Sequence, residues 1–442
     1  MPIKICDGDV MKTLIFCAKD VRDYLNLDRE TLNAVGEIPM RDLLADDTAQ
    51  KFLRDKMKLY PNCAASLSLP ILFETDIDGL RLDFNFGLRL EIPRGNFHVT
   101  ISDADGGQIF LDENLSDVRL ISFEKYFIRW QIDVSRDGEK IFSHTLDLTG
   151  QPVLIVVHLT GLGDMISLLP HVQAFKDFHR CEVKLLLREY MREFAANLYP
   201  DLVQVDVATA ENYATYFPIM CIGNDPTNPL DLRNEPMERV HRKIFGLDTL
   251  PIKPTFKPTM PRQIAEPYVC IGVQASTTIK SWLYPGGWDI VVDCLKNLGY
   301  RVLCIDKHAQ ETNDGQTICK PGGAEDFTGD FSIMERANML YHAEFFIGLS
   351  SGLAWLAYAV NCPVVMICGF SQDWFEFHTP YRVANRLVCN GCLNDIRENF
   401  IWDVCPHHKG TPRELECQKK ISPRQVLNAI ERLIAEARRD KF

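Results

Sequence analysis

Twice along this chain a continuous apolar run meets a turn of small residues and then a helical pattern, and that repetition limits the fold more than any other feature. VLIVVHL at 153–159 leads through Thr160-Gly161-Leu162-Gly163-Asp164 into an apolar helical segment, Met165–Phe178. YVCIGVQ at 268–274 opens a second series. Strands that are apolar at every position are those buried on both faces, as in parallel sheets. The first series continues with strand-like VKLLL (183–187) and PIMCIG (218–223). The second continues with a helix over 287–298, the strand RVLCID (301–306), a helix over 333–342, the strand FFIGLSS (345–351), a helix over 352–360, the strand PVVMICG (363–369) and a final helix over 423–441. Strands alternating with helices imply a parallel sheet in each series. The expectation is two Rossmann-like α/β lobes, at 151–262 and 263–442. They meet at PIKPTFKPTMP (251–261), whose four prolines in eleven residues read as a linker. Pro170 is expected near the first turn of its helix, where a missing N–H is harmless.

Residues 66–150 differ in period. LRLDFNFGLRLE (80–91), FHVTISD (97–103) and FIRWQIDVS (127–135) alternate apolar and polar residues, separated by the turn signals DADGG and RDGE. Period two with such turns predicts an N-terminal antiparallel β domain of six to eight strands, a small barrel or sandwich. It contains no evident chemistry and reads as an assembly or docking module. Residues 1–65 form a helical N-terminal extension on pattern, with amphipathic spacing in Arg41–Leu59.

A chain of 442 residues exceeds what a single core usually organises. Its net charge of −12 argues against nucleic acid or anionic lipid as partners. No run approaches the roughly 18 apolar residues of a membrane span, and the first residues lack a secretory pattern. A cytoplasmic location is expected. Of fifteen cysteines, eleven are scattered, several inside apolar runs (Cys270, Cys304, Cys368), and read as small buried hydrophobes.

Four motifs carry chemistry. Gly161 and Gly163 lie between a strand and a helix, at the carboxyl end of the first strand of a lobe, where open α/β sheets bind ligands. Asp164, at the helix start, suits a general base for an acceptor hydroxyl or an N-cap. After the first strand of the second lobe, Ser276, Thr277, Thr278 and Lys280 suit a sugar diphosphate, Lys280 neutralising charge on the leaving group; a solvent-facing loop is the plainer reading. Asp306 fits a ribose hydroxyl or a turn aspartate. At Ser350, Ser351, Gly352 and Leu353 a strand enters a helix, so that backbone N–H groups would point at an anion; tight strand–helix packing is the alternative.

The fourth motif is a cysteine set, Cys389-x-x-Cys392 with Cys405 and Cys417. Four thiols within a 29-residue, loop-rich stretch suggest a tetrahedral structural metal site. His407 and His408 compete as ligands, but four sulfurs close the shell. Ligand chemistry makes zinc the default and leaves iron compatible.

Taken in order, these segments resemble the heptosyltransferase superfamily, most closely the bacterial autotransporter heptosyltransferases. The resemblance is carried by GLRLDFNFGLRLEIP, HLTGLGDMISLLP, STTIKSW, GLSSGLAW, GFSQDWFEFHTPYRVAN and the finger VCNGCLND…DVCPHHKGTPRELECQKKISP. It implies a GT-B fold, an α/β architecture of two facing lobes, with the β domain in front and a C-terminal four-cysteine finger at 387–418. It implies inverting transfer of heptose from ADP-heptose to serine hydroxyls of an autotransporter adhesin passenger, with Asp164 as base and Lys280 and the turn Ser350–Leu353 on the donor diphosphate. It further implies one structural ferric ion per subunit, in place of zinc, and a homo-oligomer, a dodecamer in the described members. A heptosyltransferase acting on lipopolysaccharide or another glycan, and a non-catalytic sugar-nucleotide-binding scaffold, are the competing readings.

Overall fold

The computed structural model describes residues 12–16, 70–157, 161–206, 211–218, 231–313, 315–398 and 404–439. Most of the expected N-terminal extension lies outside these residues, as does the expected strand beyond Pro218.

Eight strands precede the first lobe: β1 (Lys12–Phe16), β2 (Arg81–Asn85), β3 (Arg89–Ile92), β4 (Phe97–Asp103), β5 (Ile109–Leu115), β6 (Val118–Ser122), β7 (Trp130–Arg136) and β8 (Glu139–Thr145). The lobe itself holds β9 (Pro152–Val157), helix α1 (Leu162–His179), β10 (Glu182–Leu187), α2 (Arg192–Leu198), β11 (Val203–Val205), β12 (Ala214–Tyr216) and α3 (Met237–Ile244). Its sheet runs in the order β1-β6-β3-β2-β12-β9-β10-β11. The expected separate β domain is therefore divided. Only β5-β4-β7-β8 form their own antiparallel sheet, while β2 pairs in parallel with β12 and carries β3, β6 and β1 onto the lobe sheet.

Strands β2, β3 and β6, which join the lobe sheet, pair antiparallel with one another in that order, as their period-two alternation predicts, yet neither of their faces is wet. Their polar face is buried too: Arg89, fully enclosed, holds Asp83 through Nε at 2.7 Å and Nη2 at 2.6 Å. Asn85 accepts from Thr215 Oγ1 at 2.5 Å and donates to the Asn212 carbonyl at 2.7 Å across the β2–β12 seam. A buried charge that is paired and hydrogen-bonded is tolerated in a core, so polar alternation does not demand a wet face.

Helix α1 buries Met165, Leu168, Leu169, Val172 and Phe175 at helical spacing, in one cluster with Val153, Ile155 and Val157 of β9. Pro170 lies in mid-helix, not in the first turn. Its missing N–H leaves the Ile166 carbonyl without its usual intrahelical donor.

The second lobe contains β13 (Tyr268–Gly272), α4 (Gly287–Asn297), β14 (Arg301–Cys304), the hairpin β15 (Gln310–Asn313) and β16 (Gln316–Cys319), β17 (Glu325–Asp326), α5 (Ile333–Tyr341), β18 (Phe346–Leu349), α6 (Gly352–Ala359), β19 (Val364–Ile367), β20 (Arg382–Val383), α7 (Glu416–Lys419) and α8 (Pro423–Arg439). The parallel sheet runs β17-β14-β13-β18-β19-β20. Along β13, Val269 and Ile271 join one apolar cluster and Cys270 the other, so both sheet faces are covered. Cys270, Cys304 and Cys368 are buried. The proline-rich segment is no loose tether. Phe256 packs between Phe194 of α2 and Tyr341 of α5, and Asn338 accepts from the N–H groups of Thr259 and Met260. Among the described residues no helix is long and apolar enough to cross a membrane.

Candidate functional site

The N-termini of α1 and α6, one from each lobe, meet face to face. A Cβ on Gly163 would stand 2.6 Å from Trp355 Cδ1, and one on Gly352 would stand 2.8 Å from Leu162 Cβ. Both contacts are closer than carbon atoms tolerate. Glycine at these two positions serves the approach of helix to helix, a use the sequence pattern did not separate from ligand binding.

Asp164 occupies the third helical position. Gly161, not Asp164, is the N-cap residue, and its N–H donates to Asp164 Oδ2 at 3.0 Å. The carboxylate thus supports the helix start from inside the first turn. It keeps some exposed surface, yet the walls of both lobes crowd it. Burial pushes its pKa above the usual carboxylate range, the Lys280 charge opposes that rise, and Glu376 adds to it. Asp164, Lys280 and Glu376 therefore share one electrostatic neighbourhood although they come from three separate segments.

Lys280 closes a single 3-10 turn, Thr278–Lys280, just after β13. Its ammonium lies 5.9 Å from the Phe370 ring centroid. Ser276 is exposed, Thr277 partly buried and Thr278 buried. Thr278 Oγ1 donates to the Asn313 carbonyl at 3.0 Å, so hairpin β15–β16 leans on this loop. Thr277 Oγ1 is buried without a hydrogen-bond partner, and so is Ser351 Oγ at the N-cap of α6. Buried hydroxyls are normally satisfied. Two unsatisfied ones, at the two turns singled out for a diphosphate, fit a polar ligand between them.

Ser350 faces inward and donates through Oγ to the buried Glu376 carboxylate. Glu376 is held in turn by Arg382 at 2.8 Å, and Arg382 also donates to Ser371 Oγ at 2.7 Å. The sequence pattern gave Glu376 and Arg382 no role. Their only signal was a place in the segment GFSQDWFEFHTPYRVAN that carries the family resemblance. Leu353 packs toward β13, where a Cβ on Gly272 would meet its Cδ1 at 3.1 Å.

Asp306 is buried at the end of β14. Its carboxylate accepts from the N–H groups of Val273 at 2.8 Å and Gln274 at 3.2 Å, binding the ends of β13 and β14 together. Burial raises its pKa to about 6 despite these bonds. These are contacts expected of a turn aspartate.

Cys392, Cys405 and Cys417 are buried and Cys389 is partly so, all as free thiols. Burial pushes Cys392 up to about 12, and Cys389 and Cys405 beside it add to the rise. Cys417 is raised by burial and then by Cys392, Cys405, Cys368 and Cys389. Cys389 is likewise raised, by burial first and then by its neighbours in the finger. The donor group found within 4.8 Å of one another here holds one of the four sulfurs: Cys389 Sγ, the His408 ring and the Glu416 carboxylate. Oxygen and nitrogen donors therefore flank the sulfur set.

Comparison with known proteins is consistent along the chain. The model of the glycosyltransferase TibC N-terminal domain matches residues 77–138. That of glycosyltransferase family 9 (heptosyltransferase) matches residues 232–398. An autotransporter heptosyltransferase of Citrobacter rodentium, BAHTCr, is 40% identical over 369 residues, covering 81% of this chain and 90% of its own. BimC of Burkholderia thailandensis, described as an inactive autotransporter heptosyltransferase, is 31% identical over 80% of this chain and 85% of its own. A crystal structure of the iron-containing dodecameric glycosyltransferase TibC from enterotoxigenic E. coli superposes with a TM-score of 0.80 at 37% identity, covering 84% of this chain and 98% of that one. A second TibC crystal structure, in complex with ADP-D-beta-D-heptose, gives 0.79.

Proposed function

The chain belongs to the autotransporter heptosyltransferases of glycosyltransferase family 9, and from that premise we propose that it transfers heptose from ADP-heptose to serine hydroxyls of an autotransporter adhesin passenger. The observation that carries the reading is the close approach of the α1 and α6 N-termini from the two lobes, which sets Asp164 in the field of Lys280, with two unsatisfied buried hydroxyls at the second lobe's turns.

In this reading the lobe at 151–262 receives the acceptor and the lobe at 263–442 grips the donor. Lys280, Ser276, Thr277, Thr278 and the turn Ser350–Leu353 hold the diphosphate. Asp164 takes the proton of the serine hydroxyl as its oxygen bonds to the anomeric carbon. The bond from that carbon to the phosphate oxygen breaks, ADP leaves with the electron pair, and the configuration inverts. A placed base contributes about 10²–10⁴-fold, and each donor to the departing diphosphate about 3 kcal/mol. Gly161 and Gly163 shape the acceptor-side turn.

Cys389, Cys392, Cys405 and Cys417 would hold one iron, whose contribution is to cross-link the loop-rich finger 387–418. The burial of Cys392, Cys405 and Cys417, with Cys389 partly buried, all as free thiols in one loop-rich stretch, supports the assignment. Assembly as a homo-oligomer, up to the dodecamer described for TibC, and a cytoplasmic location before export of the acceptor complete the proposal.

Co-expression with an adhesin passenger, followed by intact-mass measurement, tests it. A ladder of heptose increments on the passenger is expected. An unmodified passenger, with heptose moving to lipopolysaccharide instead, would replace the acceptor. No consumption of labelled ADP-heptose would place the chain with a non-catalytic relative such as BimC.

A further inference from the structure

The loop that carries Lys280 is weakly held by its own backbone. One 3-10 turn supports it, through Lys280 N–H to the Thr277 carbonyl at 3.2 Å and Ser281 N–H to the Thr278 carbonyl at 3.0 Å. Asn313 of the β15–β16 hairpin braces its start, through Thr278 Oγ1 and the Ala275 carbonyl, and a second brace comes from about 140 residues away in sequence, from the end of the cysteine finger. Gln418 is fully buried, and its Nε2 donates to the Ile279 carbonyl, the residue immediately before Lys280, at 2.5 Å. The Gln418 carbonyl accepts from Leu283 N–H at 3.2 Å, and the Ile421 carbonyl accepts from Trp282 Nε1 at 2.8 Å. Gln418 Oε1 is buried without a partner. Turning the amide over would set oxygen against the Ile279 carbonyl, so the donor side is fixed.

Cys417, the neighbouring residue on the short helix α7, is a buried member of the finger's cysteine set. Its carbonyl would lie 2.5 Å from a Cβ on Gly369, so the approach of α7 to the second lobe requires glycine there. One helical turn thus carries a cysteine of the finger and the amide that braces the donor loop.

We propose that Gln418 is a positioning residue for Lys280, through which the cysteine finger sets the geometry of the nucleotide-diphosphate site. The inference rests on the reading of Lys280 as a diphosphate ligand. When the Ile279 carbonyl loses its buried donor, the loop shifts to find water, and the ammonium leaves the position that meets the phosphates. The finger is then part of donor binding as well as of stability.

The test is a double-mutant cycle read by ADP calorimetry on the full-length protein, with metal content and thermal midpoint measured on the same samples. Gln418→Met keeps length and removes the donor, and Gln418→Glu sets an acceptor against an acceptor. The expected result is ADP binding weakened about 10-fold in Gln418→Met and more in Gln418→Glu. The KM for donor sugar rises in step, and kcat at saturation falls as well, because the displaced ammonium no longer meets the charge on the departing diphosphate. On a Lys280→Met background Gln418→Met then adds less than about twofold. Unchanged ADP affinity in Gln418→Met, or losses that add in the double variant, overturns the proposal. If Gln418→Met loses metal or does not fold, Trp282→Phe, which removes the brace at Ile421 without touching α7, runs the same cycle under the same criteria. A parent protein that fails to bind ADP sinks the donor-site reading itself. A parent that binds, with variants that bind equally well, sinks only the role of Gln418.

Discussion

At the scale of single residues the site is governed by competing charges around Asp164. Burial disfavours its carboxylate form and Glu376 repels it, while Lys280 attracts it. A base works only when deprotonated, so activity is lost as pH falls through its pKa. The acid limb of kcat/KM is therefore expected above the ordinary aspartate value of about 3.9. Glu376→Gln removes a repelling charge and should move that limb to lower pH. Lys280→Met removes the attracting one and should move it to higher pH, on top of a loss of rate. Limbs that stay fixed in both variants, measured across a pH series, would detach the limb from Asp164. Asp306 shows the opposite lesson. Its position at a strand end suited a ribose, but two backbone N–H groups occupy its carboxylate, and no local pattern in the sequence distinguishes the two uses.

Among elements, the decisive contact is α1 against α6. Glycine to alanine within a helix normally favours the helix by about 1 kcal/mol. At Gly163 the added methyl would collide with Trp355, and overpacking of this kind costs about 1–3 kcal/mol. Gly163→Ala is therefore expected to lower stability in urea unfolding and to slow transfer by parting Asp164 from Lys280. Gly161→Ala, whose Cβ would meet only the Asp164 carboxylate at 3.2 Å, should leave stability nearly unchanged. If the two variants behave alike, the packing argument at Gly163 is wrong. The same contact explains why GLGD and SSGLAW stood out in the sequence: small residues at helix starts are visible locally, but what presses against them is not.

For the whole molecule, the finger and the linker join parts far apart in sequence. If four sulfurs hold the metal, Cys405→Ser and Cys417→Ser should each lose it and lower the thermal midpoint. His408→Ala should keep both, even though His408 lies beside Cys389. Metal analysis with calorimetry on the three variants decides this, and metal loss in His408→Ala would move the histidine into the ligand set. The sequence by itself determined the two α/β series and nearly every helix of the second lobe, because periodicity and short spacing are set by neighbours along the chain. It did not place β2, β3 and β6 on the first lobe's sheet, the Glu376–Arg382 pair behind Ser350, or Gln418 behind Lys280. Those were decided by tertiary structure, because whether a polar side chain meets water, a ligand or a buried partner depends on what packs against it from elsewhere in the chain.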